Sequence, residues 1–529
     1  MSTTRSIRRR SRGKGRRRYE LHKAHGVLHP RVQAVGPEHF GVVCFDCAKA
    51  RSKWILCNFY GRVLVEPTTV EHQRGQLQMT IAQVCETAEQ HRLTDLVVAI
   101  ERTGNYHRPI QRAFEAAEFL GRRFDVRIVH PFATKQHRQP ANPGDKTDDN
   151  DLAALFRATV AGFGLREAAR DALHDQLQLL ARHRRDWVQK RSAVCCQLRE
   201  HLEAVLPGYA ALFGDKLWDS KVALPLARVL ATSNEFARQR VAGLAQLLRD
   251  RDTQFHRSTL EKIIAWAANA AQPDAAATTH HQIALALDDD RLGKTREILA
   301  LERHLTQHLA RTPYVLLLAC SGVNVVSAAE LAGEMGPIGN YARANRITGR
   351  AGLYRSRYQS DQVDRQNGPL VRMCNRRLRA ALMMIADNLV TCNAHYRGLA
   401  ALWKAQGRDP HARRVRVATR FARVVFQVVS GRQVLRHPGM RGRDAILNKL
   451  LQFHLEHATP LPIVLGTLQD AVDQLPAGSQ AAEAAPLAAE LAKAQKSRRG
   501  PRPIGEILTL VLARLGAGDL QSTVAREPS

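Results

Sequence analysis

The segment from about residue 38 to 160 alternates short apolar runs with helical patterns, and this order constrains the fold more than any other feature of the chain. Four runs are expected to form buried strands, and the glycine in the second suits a hairpin turn: GVVCF, KWILCNFYGRVLVE, LVVAI and FDVRIVHP. Helices are expected around 71–91, around 108–119 and from Asp148 onward. Antiparallel strands followed by strands that alternate with helices predict an α/β domain of the ribonuclease-H-like type. A flavodoxin-like domain would share much of this pattern.

The pattern changes near residue 168 to a long helical periodicity. Between 170 and 205 apolar residues recur at spacings of three and four, which predicts a long basic helix of coiled-coil type that ends before Pro207. Further helices are expected to about 310, with a loop near 272–281 that contains His280 and His281. The predicted fold is therefore α/β plus all-α, divided into a basic disordered arm (1–37), the α/β domain (38–165), a helical or coiled-coil region (166–310), a helical domain (311–432) and a C-terminal extension (433–529).

Charge indicates the class of partner. Lys and Arg number 79 against 49 Asp and Glu, which gives a net charge of +30. Cationic side chains that neutralise phosphates release condensed counterions, so this excess predicts a nucleic-acid partner. No run of about 20 apolar residues is present that could span a bilayer, so no membrane partner is expected. The nine cysteines form neither a disulfide nor a zinc framework, which favours a reducing, cytoplasmic compartment.

Acidic residues follow two of the expected strands and open one helix. Asp46 directly follows GVVCF, Glu101 directly follows LVVAI, and Asp148 and Asp151 lie in GDKTDDNDLAAL. A spacing of three places the last two on one face of their helix, and functional groups gather where the strands of an open sheet end. Four carboxylates at one point would repel one another without cations, and their oxygen donors favour Mg²⁺ or Mn²⁺. The structural alternative is that Thr147 or Asp148 simply caps the helix.

These residues resemble the DEDD, RuvC-like domain of bacterial transposases of the insertion-sequence one-ten family. The runs that carry the resemblance are FDCAK, IERTGNYHRP and KTDDNDLAAL. Asp46, Glu101, Asp148 and Asp151 fall on the four acidic positions of the family, which implies that they are catalytic and bind the metal. Lys49 and Lys146 match the surroundings of these motifs and are expected to contact nucleic acid.

A second resemblance is to the C-terminal transposase domain of the same family. Its three blocks are similar to CSGVNVVSAAELAGEMG, RITGRAGLYRSRYQSD and NRRLRAALMMIA. In that family a serine of the middle block attacks a DNA phosphate and becomes covalently joined to it, and Ser360 falls on that position. Arg350, Arg355 and Arg357 are expected to bind the attacked phosphate, since arginine forks match phosphate oxygens. Ser356 is the local rival for the role of nucleophile.

Two further segments each have two interpretations. The glycine turn and helix of SGVNVVSAAELAG either offer backbone N–H groups to a DNA phosphate or form a plain buried helical hairpin. The basic amphipathic run HARRVRVATRFARVVF either follows a nucleic-acid backbone or presents the solvated face of a packed helix.

The resemblance implies a transposase-recombinase that cuts and rejoins DNA to mobilise its own insertion element. The implied chemistry is a covalent serine–DNA intermediate, assisted by the metal-binding acids. The implied partners are donor and target DNA, a guide RNA from the same element, and further copies of the chain in a dimer or tetramer at the bacterial nucleoid. Two alternatives stay open: a RuvC-like metal-dependent DNA junction nuclease that does not use Ser360, and a non-catalytic nucleic-acid-binding protein.

Overall fold

The chain divides into two compact units, Met1–Ala168 and Ala169–Ser529. This division lies close to the predicted end of the α/β domain at residue 165. The computed structural model describes residues 28–140, 143–168, 170–360, 363–365, 368–434, 437–441 and 444–476. Most of the predicted arm and the last part of the predicted extension lie outside these described residues.

The first unit is built on a mixed sheet of five strands. They are β1 (Phe40–Cys47), β2 (Arg51–Asn58), β3 (Val63–Glu71), β4 (Asp95–Glu101) and β7 (Asp125–Val129), and the short strands β5 (Glu118–Phe119) and β6 (Arg122–Arg123) form a separate ribbon. The order across the sheet is β3-β2-β1-β4-β7. β1, β2 and β3 pair antiparallel, whereas β1–β4 and β4–β7 pair parallel. The predicted hairpin is confirmed: Gly61 lies in the turn between β2 and β3 with φ of 89°, a conformation that glycine adopts readily.

Helices cover both faces of this sheet. They are α1 (His29–Val35), α2 (Arg74–Gln90), α3 (Arg108–Ala116), α4 (Pro131–Arg138) and α5 (Asp148–Val160). Side chains of a strand alternate between the two faces, so Val43 and Phe45 share one core with residues of α2 and α3. Val42 and Cys44 point the other way into a core with residues of α1, α4 and α5. Burial on both faces explains why β1 and β4 are continuous apolar runs rather than alternating ones.

The end of the predicted disordered arm is ordered, which corrects that boundary. Leu28 and Val32, four residues apart, are buried against the sheet at one edge of the second core. Arg31 lies between them and forms ion pairs with Asp95 and Asp125. The strongly basic run at the start of the sequence led to the prediction of disorder as far as residue 37. In the structure, the buried Leu28 and Val32 and the two carboxylate partners of Arg31 hold α1 in place.

The second unit is helical in its described residues except for one short hairpin. The hairpin consists of β8 (Tyr358–Ser360) and β9 (Val363–Arg365). The helices are α6 (Ala172–Val205), α7 (Ala223–Ala227), α8 (Ser233–Ala237), α9 (Val241–Arg249), α10 (Arg257–Asn269), α11 (Ala277–Ala310), α12 (Val325–Met335), α13 (Ala344–Arg350), α14 (Arg376–Cys392), α15 (Ala394–Ala405), α16 (Pro410–Gly431), α17 (Asp444–Glu456) and α18 (Leu461–Gln474). The predicted long helix is confirmed by α6, which is capped by the side chain of Asp171.

Two helices of 34 residues each, α6 and α11, pack along each other and join two cores. Leu177 and Leu309 belong to a large core with α12, α14 and α16. Leu202 and Ala284 belong to a smaller core with α7 to α10. The predicted boundary near residue 310 therefore does not separate two cores, because the end of α11 packs into the region that follows it.

The first part of the predicted C-terminal extension also belongs to the large core. Ile446 and Leu450 of α17 and Leu468 of α18 are completely buried in it. The segment around His280 differs from its prediction too, since α11 begins at Ala277 and includes both histidines. Among the described residues, no helix combines the length and the apolar character needed to cross a membrane.

Candidate functional site

Two acidic residues stand side by side at the ends of neighbouring strands. β1 and β4 run parallel, with Phe45 paired to Ile100, so Asp46 and Glu101 follow at the same level of the sheet. Both carboxylates are half-buried. The parallel pairing therefore brings together two residues that are 55 positions apart in the sequence, as the strand-end argument predicts.

The other two acids lie in the first turns of α5. The hydroxyl of Thr147 caps this helix by accepting a hydrogen bond from the Asn150 backbone N–H at 3.2 Å. Asp148 is therefore not used as the cap, and it is exposed, whereas Asp151 is buried with 6% of its surface accessible. Thr147 is therefore the cap, which is one of the two structural alternatives, and neither Asp148 nor Asp151 is used for capping.

The pKa values of Asp46 and Glu101 reflect the charges of neighbouring acids. Burial, followed by the charges of Asp151 and Asp148, raises the pKa of Asp46 from 3.8 to about 6. Burial, followed by the charges of Asp46 and Asp151, raises the pKa of Glu101 from 4.5 to about 7. Lys146 opposes both shifts, which places this predicted nucleic-acid contact at the acids. Like charges held this close favour either bound protons or bound cations.

One cation of the chain already occupies part of the site. Arg138, at the end of α4, forms an ion pair with Asp151, and both side chains are largely buried. Its charge also opposes the rise in the pKa of Glu101. Sequence reasoning did not identify Arg138, because it follows no motif and comes 13 residues before its partner. Asp149 is held at 2.6 Å by Lys53 and does not join the other acids, as expected from its position on the helix.

The fit of a metal depends on donor chemistry rather than on a preformed ligand shell. Within the described ranges, no three His, Cys, Asp or Glu side chains are gathered closely enough to hold a metal ion. The donors available are all carboxylate oxygens, the type that Mg²⁺ and Mn²⁺ prefer. The raised pKa values of Asp46 and Glu101 indicate a local excess of negative charge that a cation would relieve. The set Asp46, Glu101, Asp148 and Asp151 therefore offers the donor type that a hard divalent cation prefers. In this arrangement the acids are not gathered closely enough to hold one, and Asp151 is engaged by Arg138.

Ser360 lies in the second unit, at the end of β8. It is exposed and pairs across the hairpin with Val363. The predicted helical domain therefore contains a strand at the position of its predicted nucleophile. Arg357, at the base of the hairpin, donates two hydrogen bonds of 2.9 and 2.6 Å to the carboxylate of Asp364 on the opposite side. This ion pair braces the hairpin and engages the Arg357 guanidinium in this structure, and the phosphate contact of Arg357 stays a prediction.

The other predicted arginines have different environments. Arg350 donates to the backbone oxygen of Met335 at 3.3 Å and to the hydroxyl of Tyr341 at 2.7 Å, and its guanidinium lies over the Tyr341 ring. Arg350 is thus part of the packing of α13. Arg355 is exposed, with the carboxylate of Asp409 at 3.8 Å, and retains the character of a phosphate contact.

The two serines of the hairpin region also differ. Ser356 donates its hydroxyl to the backbone oxygen of Pro369 at 3.0 Å, and its backbone pairs with the same segment. Its hydroxyl is committed to holding the loop. Lys49, in the first unit, is exposed in the turn that follows β1, next to the strand end that carries Asp46.

The turn-helix segment SGVNVVSAAELAG is a buried hairpin rather than an anion site. α12 is buried along most of its length, and a capping box between Asn324 and Ser327 satisfies the backbone N–H groups of these two residues. Gly322 has φ of 95°, and a Cβ there would lie 2.9 Å from the backbone oxygen of Asn388. The backbone therefore approaches α14 closely at this turn, as expected of a packed helical hairpin.

Two protein-family models match the chain. A DEDD transposase model of the IS110 type matches residues 43–207, and a model described as the transposase IS116/IS110/IS902 family matches residues 314–401. The first match contains the four acids, and the second contains Ser360. No curated protein matches the chain significantly.

Proposed function

Because the two family matches support a transposase of the IS110 family that acts on DNA, we propose that this chain cuts and rejoins DNA through a covalent serine–DNA intermediate. Ser360 is the nucleophile, and Asp46, Glu101, Asp148 and Asp151 form a metal-binding centre that assists it. The strand order β3-β2-β1-β4-β7, with helices on both faces, supports a ribonuclease-H-like, RuvC-type frame for these acids.

The observation that carries the proposal is the mutual field of the carboxylates. Asp46 and Glu101 both have raised pKa values, and Asp151 contributes to both shifts, whereas Asp148 contributes to that of Asp46. Neither Asp46 nor Glu101 forms an ion pair in the described part of the chain, whereas Asp149 pairs with Lys53 and Asp151 with Arg138. Unpaired carboxylates at strand ends are costly for folding, which is the pattern found at sites kept for function.

A divalent cation held by these four acids would supply positive charge to the phosphate oxygens and lower the pKa of an oxygen bound to it. A cation bound by Asp151 would compete with Arg138 for this carboxylate, since the two side chains are paired. A guanidinium displaced in this way would be able to form a two-pronged contact with a phosphate of the DNA. Lys146 lies near the same acids and adds a second contact for the phosphate backbone.

The serine step is a transesterification and needs no external energy source. The Oγ of Ser360 attacks phosphorus, and its proton passes to a general base. A new Ser–O–P bond forms while one P–O bond to a deoxyribose breaks, and the departing sugar oxygen takes up a proton. A strand hydroxyl from a second DNA end then reverses the step, which frees the serine and joins the strands.

Strand exchange by serine variants tests this proposal. Replacement of Ser360 with Ala should reduce strand exchange by roughly a thousandfold or more, since removal of a covalent nucleophile abolishes its pathway. Ser356→Ala is the matched control, because that hydroxyl only donates to Pro369, and it should keep activity within a few fold. Strand exchange by Ser360→Ala at the wild-type rate would overturn the mechanism.

A RuvC-like junction nuclease is the second candidate, favoured by the acids standing in a unit with a sheet core of its own. A nuclease of this type hydrolyses DNA with the acids alone. Full DNA cleavage by Ser360→Ala, combined with loss of cleavage in Asp46→Asn, would select it. DNA binding by the wild-type protein without any cleavage or strand exchange would instead select a non-catalytic binding protein.

The proposed partners extend to RNA and to further copies of the chain. The net charge of +30 exceeds what solubility requires and suits more than one nucleic-acid strand. The family resemblance implies a guide RNA encoded by the same element and a shared site built from two or more subunits. Sequencing of the RNA that copurifies with the chain tests the first, and mass measurement in solution tests the second.

A further inference from the structure

A cavity of about 510 Å³ opens in the second unit beside the hairpin that carries Ser360. Two of its walls are the first turns of α14 and α16, and the third is the segment around Leu370. Leu370 is bridged to Arg355, so this wall continues directly into the strand that leads to Ser360. We call this space the arginine cavity, because four arginines line it: Arg355, Arg376, Arg379 and Arg414.

The positive charge of the arginine cavity is only partly neutralised. Arg355 has the carboxylate of Asp409 at 3.8 Å, and Arg414 is paired with Asp387, both of these carboxylates being exposed. Ion pairs at such exposed positions are weak. Two of the four arginines, Arg376 and Arg379, form no ion pair with a carboxylate in the described part of the chain, so the cavity keeps positive charge.

Arg379 is a fixed positive charge in the lining of the cavity. It donates to the backbone oxygens of Ala351 at 2.9 Å and Gly352 at 3.3 Å, and also to that of Val371. No carboxylate in the described part of the chain forms an ion pair with it. Arg376, one turn earlier on α14, is exposed and likewise has no ion-pair partner among the described residues.

The floor of the cavity is apolar, which distinguishes it from a simple basic surface. Ala380 and Met383 extend the face of α14 that begins with Arg376 and Arg379, at spacings of three and four residues. Leu370, which precedes α14, adds a third apolar side chain to the lining. The volume lies within the range of about 300–1,000 Å³ that is usual for small-ligand sites.

An apolar floor under a cationic rim matches a nucleotide that has left the base stack. A duplex presents its phosphates on a convex surface and keeps its bases stacked, so it cannot fill a concave cavity. A single strand offers a base for the apolar floor and a phosphate for the arginines. From this match we propose that the arginine cavity holds one unstacked nucleotide of a single-stranded DNA segment, with its phosphate at Arg376 and its base on Leu370 and Ala380.

This binding role goes beyond the strand-exchange chemistry and does not depend on it. A strand bound here would leave the cavity toward the hairpin, because Arg355 lines the cavity and lies five residues before Ser360. The cavity would therefore hold unpaired DNA near the proposed nucleophile. The Ser360→Ala variant should bind single strands as the wild type does.

Binding of a labelled oligodeoxynucleotide to the full-length protein, over a series of salt concentrations, tests the proposal. Arg376→Ala should weaken single-strand binding by about tenfold and reduce the slope against log salt by about 0.7, the value for one lost phosphate contact. Arg377→Ala is the matched control, since Arg377 is the exposed neighbour that carries the same charge and does not line the cavity. Equal losses in both variants would show only general electrostatic attraction and would overturn the proposal.

A second pair of variants tests the space in the arginine cavity without removing charge. Ala380→Phe should fill the cavity and weaken single-strand binding by about tenfold, the value of one lost base contact, while duplex binding stays unchanged. Met384→Phe adds bulk at an exposed site on the same helix outside the cavity and should have no effect. Unchanged single-strand binding in Ala380→Phe would contradict the proposal even if Arg376→Ala failed to fold.

Photocrosslinking of a strand that contains 5-iodo-2′-deoxyuridine locates the base directly. The crosslink is expected in the peptide around Leu370 to Met383 or at His411, which also lines the cavity. A crosslink elsewhere would overturn the assignment. Two competitors complete the test: stronger competition by RNA of the same sequence would reassign the cavity to RNA, and effective competition by free deoxyadenosine monophosphate would reassign it to free nucleotides.

Discussion

Replacement of Asp46 with Asn should stabilise the metal-free protein at pH 8. Burial and the charges of Asp151 and Asp148 raise the pKa of Asp46 from 3.8 to about 6. The folded state therefore binds this proton more tightly than the unfolded state does. The associated stability is fully present below pH 3.8 and is lost as the pH rises through about 6. At pH 8 the ionised side chain opposes folding, and asparagine cannot ionise.

The expected gain follows from the size of the pKa shift. Each tenfold change in proton affinity is worth about 1.4 kcal/mol, so the shift of Asp46 corresponds to at most about 3 kcal/mol. The carboxylate is only half-buried, and solvent screening reduces the effect to about 1–2 kcal/mol. A change of that size is measurable in the free energy of unfolding by urea.

The assay is urea unfolding in EDTA at pH 8 and at lower pH. The variant should be more stable at pH 8, and its advantage should shrink as the pH falls from about 6 toward about 4. Asp149→Asn is the matched control, because Asp149 pairs with Lys53 at 2.6 Å and its removal should bring no gain. An Asp46→Asn variant that is less stable than the wild type at pH 8 would refute the electrostatic reasoning.

Three further outcomes follow from the same contacts. Mg²⁺ should raise the melting temperature of the wild type and not that of Asp46→Asn, because only a protein that binds the ion is stabilised by it; an equal rise in both would contradict the metal assignment. Gly333→Ala should lower the free energy of unfolding by about 1–3 kcal/mol, since a Cβ there would lie 2.8 Å from the backbone nitrogen of Gln178; an unchanged urea midpoint would show that α6 and α12 can separate freely. Glu334→Ala should cost about 3 kcal/mol, because the Arg182 guanidinium loses bonds of 2.8 and 3.0 Å to a buried carboxylate; a loss below 1 kcal/mol in urea unfolding would argue against a buried pair.

The strand-end acids could be predicted because local pattern and sheet geometry agree. GVVCF and LVVAI are short apolar runs that predict buried strands, and neighbouring parallel strands end at the same edge of a sheet. Asp46 and Glu101 follow those runs directly, so their approach needed no knowledge of distant contacts. Asp148 and Asp151 were predicted from helix spacing, and the Thr147 cap fixes where that helix begins.

Other features depend on contacts that sequence spacing does not reveal. Arg138 pairs with Asp151 only because α4 packs against α5. Arg357 was predicted as a phosphate contact, but its partner Asp364 lies across a hairpin that the Arg-rich pattern did not predict. Arg350 was predicted for the same role, and the sequence did not reveal that its guanidinium lies over the Tyr341 ring.

The start of α11 was missed although a local signal was present. Asp274 accepts a hydrogen bond from the Ala276 backbone N–H at 2.7 Å and so turns the chain into the helix. The alanines that follow favour a helix, and the predicted loop near 272–281 did not take this preference into account. His280 therefore faces His201 on α6, at 2.8 Å between ring nitrogens, rather than lying in a solvated loop.

The most direct test of the account is to trap the full-length protein on a DNA substrate from which the departing strand cannot return. Mass spectrometry of the digested complex then identifies the residue that carries the DNA. The proposed serine mechanism predicts a DNA adduct on Ser360 that is absent in Ser360→Ala and present in Ser356→Ala. An adduct on another residue, or DNA cut by hydrolysis with no adduct at all, would contradict it.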